Sequence, residues 1–228
     1  MTDTSPAPPG EPRLLVPQGG PRPLVPQGGP RPLVPQGGPR PWLVVGLGNP
    51  GRDYERSRHN AGARAVASLA DRLGTRLGRS KFRALVGEAR TDGVPVKLAF
   101  PTTFMNDSGQ AVAPLARWHK IDPDHLIVVH DELDLAAGQL RLKKGGGTAG
   151  HHGLDSIVGS LGTKDFYRVR IGIGKPGRTG ETVDWVLDRL PKADAEALRQ
   201  AEEEAGDAAL SIIHEGLDRA MSRYNSRG

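Results

Sequence analysis

Cysteine is absent from the 228 residues. That excludes a disulfide framework, a thiol nucleophile, thiolate-ligated zinc and iron–sulfur clusters. Aromatic residues are scarce at 4%, and no series of them interleaves the basic residues, which argues against a stacking platform for single-stranded nucleic acid. No window approaches the ~18 consecutive apolar residues of a membrane-spanning helix. The opening Met-Thr-Asp-Thr-Ser-Pro has neither the basic nor the apolar stretch of a secretory signal. A soluble, cytoplasmic protein is the expectation. The sequence also holds no G-x-S-x-G, S-x-x-K or H-E-x-x-H pattern, so the usual signatures of serine hydrolases and zincins are missing.

Glycine (31) and proline (20) are abundant, and much of the excess is local. Residues 15–23, 24–32 and 33–41 each read LVPQGGPRP. Three prolines and a Gly-Gly pair per copy leave too few donors for a β-helical rung, and two apolar residues in nine cannot offset the entropy of ordering. Residues 1–41 are expected to be a disordered, polyproline-II-like tail, and residues 42–228 one folded domain. The net charge is +5, which permits a polyanionic partner without identifying one.

Within 42–228, residues 42–47 read as a buried strand and 60–74 as a helix, with Ala63, Val66, Leu69, Ala70 and Leu73 at helical spacing. Residues 83–90 and 94–100 flank the turn Thr91-Asp92-Gly93 as two strands. A helix over 108–119 is expected to begin at Ser108 as its N-cap. Residues 126–130 form another buried run, 138–144 and 167–173 alternate as strands, 150–161 reads as a helix, and the chain closes helically from about 193. This alternation predicts an α/β fold: a single three-layer domain with a central, mixed, mostly parallel sheet flanked by helices. Chemistry in such sheets sits beyond the carboxyl ends of strands.

Gly46-Leu47-Gly48-Asn49-Pro50-Gly51 matches the dinucleotide pattern G-x-G-x-x-G after a strand. Pro50 removes an amide that would face a pyrophosphate, polar residues continue to about Asn60, and Asp71 falls inside a helix instead of ending a second strand. A nucleotide site is therefore rejected in favour of a turn presenting Asn49. His59, in Arg58-His59-Asn60, is a candidate general base if a carboxylate holds its second nitrogen. His130-Asp131-Glu132-Leu133-Asp134 offers such carboxylates at a strand end, and equally fits a solvated turn or a metal site. Gly145-Gly146-Gly147, after Arg141, Lys143 and Lys144, resembles an anion cradle of free amides; no Gly-Lys-Ser/Thr follows to make it a Walker loop.

Four blocks in order carry a resemblance: GLGNPGRDYERSRHNAG (46–62), FPTTFMNDSG (100–109), HDELDLAAGQLRLKKGGG (130–147), and GHHGL (150–154) followed by RVRIGIGKPG (168–177). Together they resemble the bacterial-type peptidyl-tRNA hydrolase family over roughly 42–225. The resemblance implies hydrolysis of the ester between a peptide and the terminal ribose of tRNA by a monomer of one α/β domain, with no metal and no cofactor. It implies His59 as catalytic base, Asp131 as the carboxylate orienting it, and Asn49 as the residue separating N-blocked from free aminoacyl-tRNA. Tyr54, Phe104, Met105 and Asn106 would line the site for the 3′ end and peptide. His151 and His152 would join them, and Lys143 and Arg170 would clamp a tRNA phosphate.

One position departs from the family pattern. The family carries His-Asn-Gly where this chain has His151-His152-Gly153. A neutral imidazole offers one donor and one acceptor where a carboxamide offers two donors and an acceptor, and an imidazole ordinarily gains charge near pH 6.5. Altered pH dependence is the expectation. Two other classes compete: a metal-dependent hydrolase using His130, Asp131, Asp134 and His151 or His152, and a non-catalytic RNA-binding module that keeps the groove alone.

Overall fold

The computed structural model describes residues 38–80, 82–176, 182–188 and 192–226. The first two nonapeptide copies and most of the third lie outside the described residues. Trp42–Gly46 forms strand β1 at the middle of the sheet. Gly78–Arg79 (β2), Ala84–Thr91 (β3), Val94–Pro101 (β4), Leu126–Glu132 (β5), Leu140–Lys144 (β6) and Tyr167–Gly172 (β7) complete one sheet of order β2-β3-β4-β1-β5-β7-β6. β4, β1, β5 and β7 are mutually parallel, while β3 and β6 run against their neighbours. The mixed, mostly parallel sheet expected from the alternating pattern is present. β5 is buried at every residue, as a strand covered on both faces must be. Asp92 and Gly93 have φ of 47° and 80°, the two left-handed residues that close a tight hairpin without splaying β3 and β4.

Helices cover both faces. α1 (Ala61–Arg72), α5 (Lys192–Glu215) and α6 (Leu217–Tyr224) pack on one side, where Leu69, Leu198, Ala205 and Ile212 meet Val44, Leu98, Ile127 and Val169. α2 (Ser108–Trp118) and α3 (His152–Leu161) pack on the other, where Val112, Leu115 and Ile157 meet Leu43, Val45 and Val128. Each fully buried leucine contributes about 1.5–3 kcal/mol relative to exposure. α1 lies unusually close to the sheet: a Cβ on Gly62 would stand 2.2 Å from the Val129 carbonyl oxygen, and one on Gly46 2.2 Å from that of Gly62. This backbone-to-backbone contact sets the height at which the turn before α1 sits above β1 and β5.

Three local expectations change. Ser108 is the first residue of α2, and Asp107 occupies the cap position without a side-chain bond to the helix backbone; the Ser108 hydroxyl donates instead to the Met105 carbonyl at 2.8 Å. The closing helix divides at Gly216, whose φ of 83° ends α5 and starts α6. A short helix, α4 (Thr182–Leu187), had no clear periodic signal. No described helix is long and apolar enough to cross a membrane.

Candidate active site

The parallel strands β1, β4 and β5 end at one edge of the sheet, and three irregular segments meet there. After β1 the chain runs through Asn49 to the single turn Arg58–Asn60 and only then enters α1 at Ala61. No helix opens in the glycine stretch, in keeping with the rejection of a dinucleotide loop. After β4 comes the turn Met105–Asp107. β5 carries Asp131 and Glu132 at its end.

His59 Nδ1 lies 2.9 Å from each carboxylate oxygen of Asp131. A carboxylate only accepts, so Nδ1 carries the proton and Nε2 presents its lone pair to a cavity of about 90 Å³ that His59, Asp131, Thr148 and His152 help to line. Burial alone would lower the pKa of His59; the charge of Asp131 and its hydrogen bond outweigh burial and raise it above 6.5. Asp131 is 3% exposed. Burial pushes its carboxyl up, and the facing His59 and His151 outweigh this and hold it well below the usual carboxylate range.

His151 reaches the same carboxylate, its Nε2 3.1 Å from Asp131 Oδ1. Its Nδ1 accepts the backbone N–H groups of Gly153 and Leu154, at 3.2 and 3.4 Å, so this ring is the N-cap of α3. A nitrogen that accepts two N–H groups bears no proton, which leaves His151 neutral with its hydrogen on Nε2, donated to Asp131. Behind it His130 is fully buried, with Nδ1–H on the Asp131 carbonyl at 2.7 Å; burial holds it well below the ordinary histidine value.

Asn49 is anchored from two sides. Its Oδ1 accepts the Met105 N–H at 2.8 Å. The Asn60 carboxamide grips its backbone, accepting the Asn49 N–H at 2.8 Å and donating to the Asn49 carbonyl at 2.9 Å. Asn49 Nδ2 makes no hydrogen bond to the described residues. Met105 is buried in the core against α3, so its side chain forms floor instead of open lining. Phe104 is 57% exposed, Asn106 is exposed and Tyr54 half-buried on the neighbouring loop.

The basic candidates stand on β6 and β7. Arg141 pairs in register with Arg170 and Lys143 with Arg168, which puts all four on one face. Arg170 Nε donates to Glu132 at 3.0 Å, and Glu132 borders the same cavity. Burial, then the charges of Arg170 and Arg168, lower the Lys143 pKa. The first amide of the glycine stretch is already used inside the fold. Gly145 N–H is bonded to the Phe166 carbonyl, and the carbonyls of Gly146 and Gly147 turn toward the Arg168 guanidinium. The α3 amides that an anion would use are taken by His151.

Of the residues first considered for a metal, Asp134 is exposed and paired with Lys175 at 2.7 Å, away from the histidines. The group whose ligand atoms do converge, within 4.8 Å of one another, is His59, Asp131 and His151. Sequence reasoning did not single out Asn60, although it adjoins His59. It also missed the wall formed by α4, where Thr182, Val183 and Val186 close the cavity and Arg58 stacks on Trp185 at 3.9 Å. No local signal links those two residues.

The sequence model of the family described as peptidyl-tRNA hydrolase matches residues 43–228. The peptidyl-tRNA hydrolase of Moorella thermoacetica is 48% identical over 184 residues, covering 80% of this chain and 97% of that protein. That of Frankia alni is 47% identical over 185 residues, covering 81% and 94%. The crystal structure of peptidyl-tRNA hydrolase from Acinetobacter baumannii superposes with a TM-score of 0.78 at 38% identity, covering 82% of this chain and 95% of that chain.

Proposed function

The chain belongs to the peptidyl-tRNA hydrolase family, and from that premise we propose how its residues hydrolyse the ester of peptidyl-tRNA. The observation that carries the reading is the His59–Asp131 contact, with Nδ1 held by both carboxylate oxygens at 2.9 Å and Nε2 left open. His59 Nε2 takes a proton from water as the water oxygen attacks the ester carbonyl carbon. The Asn49 amide donates to the oxygen on which charge develops. When the bond to the ribose 3′ oxygen breaks, the imidazolium returns the proton to that oxygen. General-base help is worth about 10²–10⁴-fold, and one donor on the oxyanion about 10²–10³-fold.

Asp131 holds the His59 tautomer and favours the imidazolium that forms. His151, assigned above by resemblance to substrate contact, serves this reading as a second N–H on Asp131. Tyr54, Phe104, Asn106 and His152 border the space for the 3′ end and the peptide, and Met105 underlies it. Lys143 and Arg170 bind a phosphate of the acceptor stem, a contact that ignores base sequence and weakens with salt. The domain spans 42–228, works as a monomer and needs no metal. The His151 tautomer supports the last point: a cation on Nε2 would have to displace the proton that Nδ1, occupied by two N–H groups, cannot take up.

Purified protein is expected to release N-acetyl-aminoacyl groups from tRNA with or without EDTA, and to spare free aminoacyl-tRNA. Loss on chelation with recovery on adding Zn²⁺ would make the His59, Asp131 and His151 group a metal centre. Tight tRNA binding without cleavage would reduce the protein to a binding module. His152, exposed on the first turn of α3, bears on pH dependence. His152→Asn is expected to change the shape of the pH–rate profile while activity persists; superimposable profiles would remove His152 from the chemistry.

A further inference from the structure

Arg168 is 1% exposed, among the largest fully buried side chains of the domain. Its guanidinium donates to the Gly147 carbonyl at 2.7 Å and to the Gly146 carbonyl at 3.1 Å, stacks over Phe166 at 5.0 Å, and leaves Nε without a partner among the described residues. No described carboxylate pairs with it; Glu132, whose charge reaches it, is bonded to Arg170. A buried cation without a counter-ion is costly. Leucine or methionine would fill much of the same volume without that cost, so the guanidinium must supply something that packing does not.

The segment it holds shows what that is. Gly145, Gly146, Ala149 and Gly150 have φ of 65°, 87°, 52° and 75°. Four left-handed residues within six make a loop with a large ordering entropy and a strained alanine. Between the Gly145 N–H on Phe166 and the His151 N–H on the Thr148 carbonyl, the anchors on Gly146 and Gly147 are the two Arg168 bonds. The loop delivers His151, whose ring caps α3 and donates to Asp131. On the other side, a Cβ on Gly146 would lie 3.1 Å from Lys143 Nζ, so the loop also touches the proposed phosphate clamp.

We propose that Arg168 is a positioning residue: by holding the Gly146 and Gly147 carbonyls it sets the loop that places His151 on Asp131, and so joins the phosphate-binding strands to the catalytic carboxylate. Buried at 1% exposure, it acts through the loop. The proposal rests on the reading of His59 and Asp131 given above for its kinetic consequences, and not for the loop geometry itself. Arg168 differs from Lys143 and Arg170 in that removing it lowers the chemical step instead of tRNA affinity.

The test compares Arg168→Lys and Arg168→Ala with the unaltered protein, reading kcat, KM and thermal midpoint on N-acetyl-aminoacyl-tRNA, tRNA affinity, and the ¹⁵N spectrum of the histidine rings. Lysine keeps the charge but cannot fork to two carbonyls. Arg168→Lys is expected to lose about 10–10²-fold in kcat, the scale of a small misplacement of reacting groups, with KM and tRNA affinity little changed. The His151 signature, hydrogen on Nε2 and none on Nδ1, should be lost in both variants. Millimolar guanidinium should restore kcat to Arg168→Ala, and urea should not. If the alanine variant does not fold, the lysine variant decides alone. Unchanged kcat and an unchanged His151 signature in a folded variant would overturn the proposal, as would a loss confined to KM and tRNA affinity. Failure of the unaltered protein to cleave would instead overturn the functional reading, and the His151 spectrum would still judge the loop.

Discussion

His59→Ala is expected to lower kcat on N-blocked aminoacyl-tRNA by about 10²–10⁴-fold, the range of general-base assistance, while tRNA affinity stays within a few-fold. In the proposed mechanism the ring contributes its lone pair to the transition state while Lys143 and Arg170 hold the phosphate, so chemistry and binding should separate. Single-turnover hydrolysis beside equilibrium tRNA binding measures the split; a parallel fall in affinity would mean that His59 holds the substrate. The unaltered protein adds a pH signature. Because Asp131 raises the His59 pKa above 6.5, the acid limb of kcat/KM should have its inflection above that value, with activity rising as the imidazole loses its proton. Stability moves the opposite way. A raised folded pKa means that the protonated ring favours the fold below the unfolded value near 6.5, and that this contribution is lost as pH rises through the folded pKa. In the proposed mechanism the active form is therefore the one in which the His59–Asp131 ion pair has been discharged.

Asp131→Asn should cost about 10³–10⁴-fold in kcat, as loss of a buried orienting carboxylate does in serine protease triads, with little change in volume. Two imidazole N–H groups point at this side chain, from His59 at 2.9 Å and His151 at 3.1 Å. A carboxamide oxygen can accept one of them, but the amide nitrogen would then face the other donor. His59 is driven to the tautomer with its hydrogen on Nε2, which has no lone pair for water. The acid limb should also move below 6.5, since burial of the ring persists and the opposing charge is gone. An inflection that stays above 6.5 in this variant would show that something other than Asp131 sets the His59 proton. The carboxylate also has its own stability window. With its pKa depressed, Asp131 stabilises the fold above the unfolded carboxylate value near 4, and that contribution is lost as pH falls through the folded value. Acid unfolding should be shallower in Asp131→Asn.

The amino-acid sequence by itself determined the layers and most of the elements. Continuous apolar runs at 42–47 and 126–130 become strands buried on both faces, and the helical spacing of Ala63, Val66, Leu69 and Ala70 becomes the buried stripe of α1. The Asp92-Gly93 turn was legible because only certain residues tolerate positive φ at two successive positions. These are local or periodic properties, written in the residues that express them. His59 could be named as a candidate base and the carboxylates of 131–134 as its possible partners from residue type and strand-end position, while the choice of Asp131 and the role of Asn49 came from the resemblance of the four blocks.

Only the tertiary structure decided how those groups are held. That His151 caps α3 and shares Asp131 with His59, that Asn60 grips the backbone of Asn49, and that Arg168 turns inward onto glycine carbonyls could not be read from spacing. Ser108 shows the limit at short range: a residue type that commonly caps helices bonds backward to Met105 once the turn before α2 is folded. Periodicity reports which face of an element is buried. Hydrogen-bond pairing between segments 20 to 130 residues apart depends on the height and register at which the backbones meet, and here the contact of Gly46 and Gly62 beneath the His59 turn sets that height.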